Sequence, residues 1–308
     1  MLTCIILCCL SNNILNFLSK YKFLNIFKIC YYIIKMITIE IMGGLGNQLF
    51  QIFTLISTSI KTKKPFYFEL KTKSSRENRP FYWNTFLQRL NIFITNKNSA
   101  KIVYKEPNFH YNHIPEFPTN KTIKLVGYFQ SYKYFHENKN TIFKMIDLKK
   151  HKQHVLNKFD NDIFLSSVSL HFRIGDYKHI QHCHVVMTIE YYINAIRTLI
   201  KDTKKNDWKV LCFFERHDTK EVKNNIEKLQ KHFTNLTFIE INHDFEDWIQ
   251  MVAMSLCQHN IIANSSFSWW GAYMNDNDNR VYYPSTWFGP ALANKQTHDL
   301  FMENWIKI

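Results

Sequence analysis

Short β-branched runs alternate with helix-period stretches over most of the second half of this 308-residue chain, and that alternation restricts its fold more than any other feature. Val168 to Phe172 alternates as a strand, and Thr188 to Ile200 places Ile189, Tyr192, Ile193, Ile196, Leu199 and Ile200 on one helical face. Lys209 to Phe214 reads as the next strand, Thr219 to His232 as a polar helix and Leu236 to Ile241 as another strand. Asp244 is placed to cap a helix running through Cys257, with Asp247 as an imperfect capping-box partner. Asn260 to Ala263 is a buried strand, and Phe267 to Met274 begins the helix after it. Strands separated by helices pair in parallel through crossovers, so this order predicts an α/β Rossmann-like domain. The first half is less regular but opens at Met36 with strand, glycine turn and helix, which predicts a second α/β unit. The boundary is expected between Lys149 and Ile163, giving an N-terminal domain over 36–155 and a C-terminal one over 156–308.

Residues 1–35 are apolar but interrupted by Ser11, Asn12, Asn13 and Lys28, and neither apolar run reaches the ~20 residues of a spanning helix. They are read as an extension, dispensable or membrane-associating, ahead of a fold that begins at Met36. The formal charge of +14 attracts polyanions in general: nucleic acid, anionic membrane or a nucleotide diphosphate. Much of it comes from lysines scattered among Asn and Ile (Lys61, Lys63, Lys64, Lys71, Lys73), a solvated face with no arginine-rich helix or nucleic-acid module beside it. The seven cysteines lack paired CxxC spacing and do not form a disulfide framework.

Three strand-to-helix corners carry candidate chemistry. Gly43-Gly44-Leu45-Gly46-Asn47-Gln48 lets a backbone approach an anion at a helix N-terminus. Leu49 at the third glycine position breaks the dinucleotide fingerprint, and a corner of this kind is more often only a turn. His171-Phe172-Arg173-Ile174-Gly175-Asp176-Tyr177 ends the Val168 strand; two-residue spacing points His171 and Arg173 together and Phe172 into the core. Arg173 offers a planar fork for a diphosphate and Asp176 a carboxylate to hold it, the bland reading being a structural Arg–Asp pair. Asn264-Ser265-Ser266-Phe267-Ser268-Trp269-Trp270 opens a helix after a buried strand, where the Ser266 and Ser268 hydroxyls suit a phosphate or merely cap the helix.

In order along the chain, GGLGNQLFQ, GYFQSYKYF (Gly127 to Phe135), HFRIGDY, EYYINAI (Glu190 to Ile196) and the run from Asp247 to Tyr273 resemble the motifs of family 11 glycosyltransferases, the α-1,2-fucosyltransferases. The match extends from about Met36 to Pro290. The resemblance implies a GT-B type fold, two facing Rossmann-like domains with a nucleotide cleft between them, the acceptor on the N-terminal side and GDP-sugar mainly on the C-terminal side. It implies transfer of fucose from GDP-fucose to a glycan hydroxyl, by family precedent the 2-hydroxyl of a terminal galactose. Arg173 is expected on the diphosphate, His171 and Asp176 complete the catalytic motif, Asn264, Ser266, Phe267 and Ser268 belong to the nucleotide pocket, and Gly44, Gly46 and Asn47 face the donor. Attack with inversion through an oxocarbenium-like state follows, with no metal or other cofactor, because preorganised Arg and N–H donors stabilise the departing GDP. Two positions depart from the family pattern: Ile174 where a second arginine is usual, and Phe214-Glu215-Arg216-His217-Asp218 where an acidic Ser-Asp-Asp-like stretch is common.

Asp160-Asn161-Asp162 and Asp276-Asn277-Asp278 have the form of a metal-binding DxD but sit in Asn-rich polar stretches and read as solvated turns. His179, His182, Cys183 and His184 have zinc-ligand chemistry, set against acceptor contact or plain exposure. The alternatives to a fucosyltransferase are transfer of another GDP-sugar, or a non-catalytic sugar- or RNA-binding protein on the same fold.

Overall fold

The computed structural model describes residues 36–70, 79–96, 102–118, 121–242 and 244–308. The extension at 1–35 lies outside the described residues, as do Lys71 and Lys73 of the lysine face. The chain divides into two compact units, with the division after Leu148.

The first unit opens with strand β1 (Ile37–Ile39), a glycine corner and helix α1 (Leu45–Thr62). Leu49, Phe50, Ile52, Phe53, Leu55 and Ile56 of α1 are completely buried, as the near-continuous apolar sequence requires. Phe53 meets the rings of Phe135 and Phe143 at 5.5 and 5.8 Å. Two short strands, β2 (Phe68–Glu69) and β3 (Ile94–Thr95), pair in parallel with each other. Strands β4 (Ile102–Lys105) and β5 (Ile123–Val126) join β1 in a parallel sheet of order β1-β5-β4. Helix α2 (Lys139–Ile146) ends the unit in a left-handed cap at Asp147, and α3 (Leu148–Leu156) leads into the next.

The second unit is built in the predicted alternation: β6 (Ser167–His171), α4 (Ile189–Thr203), β7 (Lys209–Phe213), α5 (Thr219–His232), β8 (Thr237–Glu240), α6 (Asp247–Met254), β9 (His259–Ile261), α7 (Ser266–Tyr273), β10 (Val281–Tyr283) and β11 (Ile306–Lys307). All six strands are parallel, in the order β11-β10-β9-β6-β7-β8. Numbered within the unit, that is 6-5-4-1-2-3, the strand order of a doubly wound nucleotide-binding sheet. The chain is therefore an α/β protein with parallel sheets in both units.

Both faces of β6 are covered. Val168, Leu170, Phe172 and, beyond the strand, Ile174 enter the core formed with Tyr192, Ile196 and Leu199 of α4 and with Val222 and Leu229 of α5. Ile174, one of the two positions expected to depart from the resembled pattern, is thus a core residue, and burying a side chain of that size is worth about 1.5–3 kcal/mol. The opposite face carries a polar network. The Asn260 amide donates to the Ser169 hydroxyl at 2.7 Å and the Met254 carbonyl at 2.8 Å, and its oxygen accepts from Asn275 (2.9 Å) and Asn279 (3.1 Å). Asn275 and Asn277 both donate to the Cys257 carbonyl. The Asn-rich stretch around Asp276 is therefore a structural turn whose asparagines point inward, while Asp276 pairs with Lys152 at 2.6 Å.

Asp244 does not cap α6: the helix begins at Asp247 with Glu246 at the cap position, and Asp244 pairs with Arg216 instead. Among the described residues no helix is long and apolar enough to cross a membrane.

Asn260→Ala would leave several buried groups without partners at about 1–3 kcal/mol each. A loss of about 3 kcal/mol or more in the urea unfolding free energy is expected, against less than about 1 kcal/mol for Asn277→Ala at the network's exposed edge.

Candidate active site

In a doubly wound sheet a ligand crevice forms beyond the carboxyl ends of the strands where the order reverses. Here the reversal falls between β6 and β9, which pair through Val168↔His259, Ser169↔Asn260 and Leu170↔Ile261. β6 runs into the HFRIGDY segment and β9 into Asn264–Ser268, so the sheet brings together two corners 90 residues apart.

Arg173 is largely buried, with 16% of its side chain exposed, and both terminal nitrogens are engaged: Nη1 by Glu215 and Nη2 by Asp176. Its guanidinium carbon lies 4.7 Å from the centroid of the Tyr177 ring. Burial alone would lower the pKa of this group; the Tyr177 phenol, Glu215 and Asp176 outweigh burial and hold it above its ordinary value. Its fork is therefore occupied by two carboxylates as well as stacked on a ring. Glu215 also pairs with His217 at 2.9 Å. A Cβ added at Gly175 would lie 3.1 Å from Glu215 Oε2 and 3.3 Å from Arg173 Nη1, so the glycine, at φ +33°, makes room for the pair.

The segment is fastened from below. The buried Asp218 carboxylate accepts the Gly175 N–H at 2.7 Å and Lys178 Nζ at 3.0 Å. The first turn of α4 holds the strand ends: Tyr192 donates to the His171 carbonyl at 3.1 Å and Tyr191 to the Ile262 carbonyl at 2.5 Å. These bonds give each of the two adjacent tyrosines of the EYYINAI segment a separate strand end to hold.

His171 shares a face with Arg173, as the two-residue spacing requires, and its ring lies 5.7 Å from that of Phe267. It is 6% exposed and its buried Nδ1 has no hydrogen-bond partner. Burial, reinforced by the Arg173 charge, lowers its pKa to about 3, so the imidazole is neutral at physiological pH.

On the β9 side the Asn264 amide donates to the Val185 carbonyl at 2.9 Å and the Trp287 carbonyl at 3.1 Å, tying two loops to the corner. The cap of α7 is Ser265, whose hydroxyl accepts the Phe267 N–H at 3.3 Å. Ser266 and Phe267 are partly exposed at the helix N-terminus. Ser268 is buried and its hydroxyl donates weakly to the Ser265 carbonyl at 3.4 Å, so that side chain turns back into its own helix. Thus His171, Arg173, Asp176, Asn264, Ser266 and Phe267 line two adjoining strand ends, and Ser268 supports them from inside.

In the first unit the glycine corner is shaped by the amides that follow it. Gln48 donates to the Gly43 carbonyl at 2.9 Å, the Met42 N–H donates to Gln51 at 2.8 Å, and Gln130 donates to Asn47 Oδ1 at 2.7 Å. Gly43, at φ +73°, lies against Asn47. Gly46 is buried, whereas a Cβ at Gly44 would meet nothing within 4 Å, so the corner is open above Gly44.

Among the described residues one group, Glu215, His217 and Asp218, brings three metal-ligand types within 4.8 Å. Its oxygens are already committed to Arg173, His217, Gly175 and Lys178, which is poor chemistry for a cation site. The His179–His184 cluster does not converge; His184 instead stacks on Tyr177 at 4.8 Å. Sequence reasoning missed Glu215 and Tyr177 as partners of Arg173. The signal for Glu215 was its place at the end of β7, the strand beside β6.

His171 and His259, whose pKa burial lowers to about 4, are both depressed below the unfolded value of about 6.5. The unfolded chain binds the extra protons, so the stability contributed by these two neutral rings is intact above about pH 6.5 and is lost as pH falls through 6.5 toward 4 and then 3. His171→Asn is expected to reduce the proton uptake on unfolding by about one between pH 4.5 and 6, read from urea midpoints against pH.

The description Glycosyl transferase family 11 matches residues 5–308. An alpha-1,2-colitosyltransferase of Escherichia coli is 29% identical over 87% of this chain and 97% of its own length. The O-antigen biosynthesis glycosyltransferase WbnK of Escherichia coli is 26% identical over 86% of this chain and 98% of its own. A galactoside 2-alpha-L-fucosyltransferase of Caenorhabditis elegans is 25% identical over 82% of this chain and 73% of its own. With the strand order, the β6–β9 corner and a family match over nearly its whole length, the chain belongs to glycosyl transferase family 11.

Proposed function

We propose that this glycosyltransferase moves L-fucose from GDP-fucose to a glycan hydroxyl, the 2-hydroxyl of a terminal galactose, with inversion and without a metal ion. The observation that carries the reading is a largely buried guanidinium at the strand-order reversal, lying over Tyr177, whose hydroxyl donates to the Asn264 carbonyl ahead of α7. Arg173 keeps its charge at any physiological pH and has five N–H donors, of which the carboxylates occupy only some. A diphosphate entering here exchanges with Glu215 and Asp176 for the fork and meets the helix-end N–H groups near Ser266 and Phe267. As the fucose–phosphate bond breaks, the charge that grows on GDP faces donors already in place, which lowers the barrier more than donors that must reorganise.

His171 contributes as a neutral group: it shares the strand face with Arg173 without adding to or cancelling its charge. Asp176 steadies the arginine, and Asn264 and Ser268 hold the nucleotide-side corner in shape. A donor other than GDP-fucose is the second reading, favoured by the 29% identity to a protein named for colitosyl transfer.

Initial rates of GDP release from GDP-fucose and other GDP-sugars, across galactose-containing acceptors with EDTA present, test donor, acceptor and metal independence together. Arg173→Ala is expected to lower kcat/KM by about 100-fold or more, and Arg173→Lys to recover only part because it restores charge without the fork. Full activity of Arg173→Ala, or tight salt-dependent RNA binding with no binding of GDP, overturns the reading.

A further inference from the structure

Arg173 stands at one end of a column of stacked groups. Its guanidinium lies over Tyr177 (4.7 Å), Tyr177 stacks on His184 (4.8 Å, interplanar angle 22°), and His184 leans on Phe288 (5.6 Å), which carries Lys295 on its ring at 5.1 Å. The far end is fixed by backbone. Gly289 N–H donates to the Cys183 carbonyl and Ala291 N–H to the His182 carbonyl, both at 2.8 Å. A Cβ at Gly289 would come within 2.3 Å of the Gln181 carbonyl oxygen, so the two loops touch where only glycine fits. In the middle, the Tyr177 hydroxyl donates to the Asn264 carbonyl at 3.3 Å, crossing from the β6 corner to the β9 corner.

We infer that Tyr177 is a positioning residue: its ring is the floor on which the Arg173 guanidinium is held against the β9 corner. The carboxylates of Glu215 and Asp176 cannot do this alone, because they grip the guanidinium at its edge and a diphosphate competes for that same edge. The ring lies under the guanidinium carbon, away from the edge that a bidentate anion takes, so this contact persists when the fork changes partners. His184 backs the ring on its other side, and the strap at Gly289 keeps His184 in place.

This inference rests on the donor-binding reading above, and the experiment separates the two. GDP binding to the full chain is measured by isothermal titration for Arg173→Ala, Tyr177→Phe, Tyr177→Leu and the double variant Arg173→Ala/Tyr177→Leu. Tyr177→Phe keeps the ring and is expected to bind within about threefold of the wild type, whereas Tyr177→Leu weakens binding about fivefold or more. In the Arg173→Ala background Tyr177→Leu has no further effect, since a positioning residue has nothing left to position. A ring-fluorinated phenylalanine at position 177, which preserves volume while weakening the negative ring face, is expected to fall between phenylalanine and leucine and covers the case in which the leucine variant does not fold. Unchanged binding in Arg173→Ala overturns the donor reading. Weakened binding in Arg173→Ala with wild-type binding in Tyr177→Leu, or an equal Tyr177→Leu effect with and without the arginine, overturns the role of Tyr177 alone.

Discussion

Val168, Ser169 and Leu170 pair with His259, Asn260 and Ile261, while β7 and β8 lie on the other side of β6. Everything at the candidate active site follows from that reversal. A strand with neighbours laid down in both directions leaves a gap between the loops that depart from it, and no crossover helix fills the gap. HFRIGDY and the Asn264–Ser268 corner open on either side of it. The pairing is secured by polar bonds as well as by apolar burial, since Asn260 reaches across to Ser169 and gathers Asn275 and Asn279 behind it. A shift of the register by one residue would turn His171 and Arg173 into the core and Phe172 out of it.

The electrostatics around Arg173 are those of a charge kept under restraint. Two carboxylates and an aromatic face stabilise a guanidinium that burial would otherwise disfavour, and a third carboxylate, Asp218, holds the turn beneath it through Gly175 and Lys178. In the proposed reaction a diphosphate competes with those partners, which costs affinity but leaves the arginine already in place when charge develops. The neighbouring imidazole is discharged by the same burial, leaving a single positive centre on that face of β6.

Much of this was legible locally. The two-residue period of β6 assigned Phe172 to the core and His171 with Arg173 to the opposite face, because side-chain direction in a strand depends on parity alone. Thr219 to His232 was readable as a helix to the residue, since its polar and apolar positions repeat without interruption. The Asn-rich stretch at Asp276 was readable as a turn from composition, though not as an inward-facing network. Asp244 was misread as a cap because a capping residue is defined by backbone geometry: Glu246 holds the cap position and Asp244 found Arg216, 28 residues away. Likewise the choice of capping serine was not legible: the end of β9 makes Ser265 the cap, while Ser266 is partly exposed and Ser268 buried.

The sequence by itself determined the class of fold, the parallel alternation of the second half and which residue types stand at each strand-to-helix corner. It did so because periodicity, glycine and capping chemistry act over a few residues of chain. Only the tertiary structure decided that Glu215 would share Arg173 with Asp176, that Tyr177 would lie beneath the guanidinium while bonded to Asn264, and that Gln130 would hold Asn47 across 83 positions. Those contacts depend on strand order and loop closure, which bring distant segments together by burying the apolar faces between them, and no local pattern encodes which partners then meet.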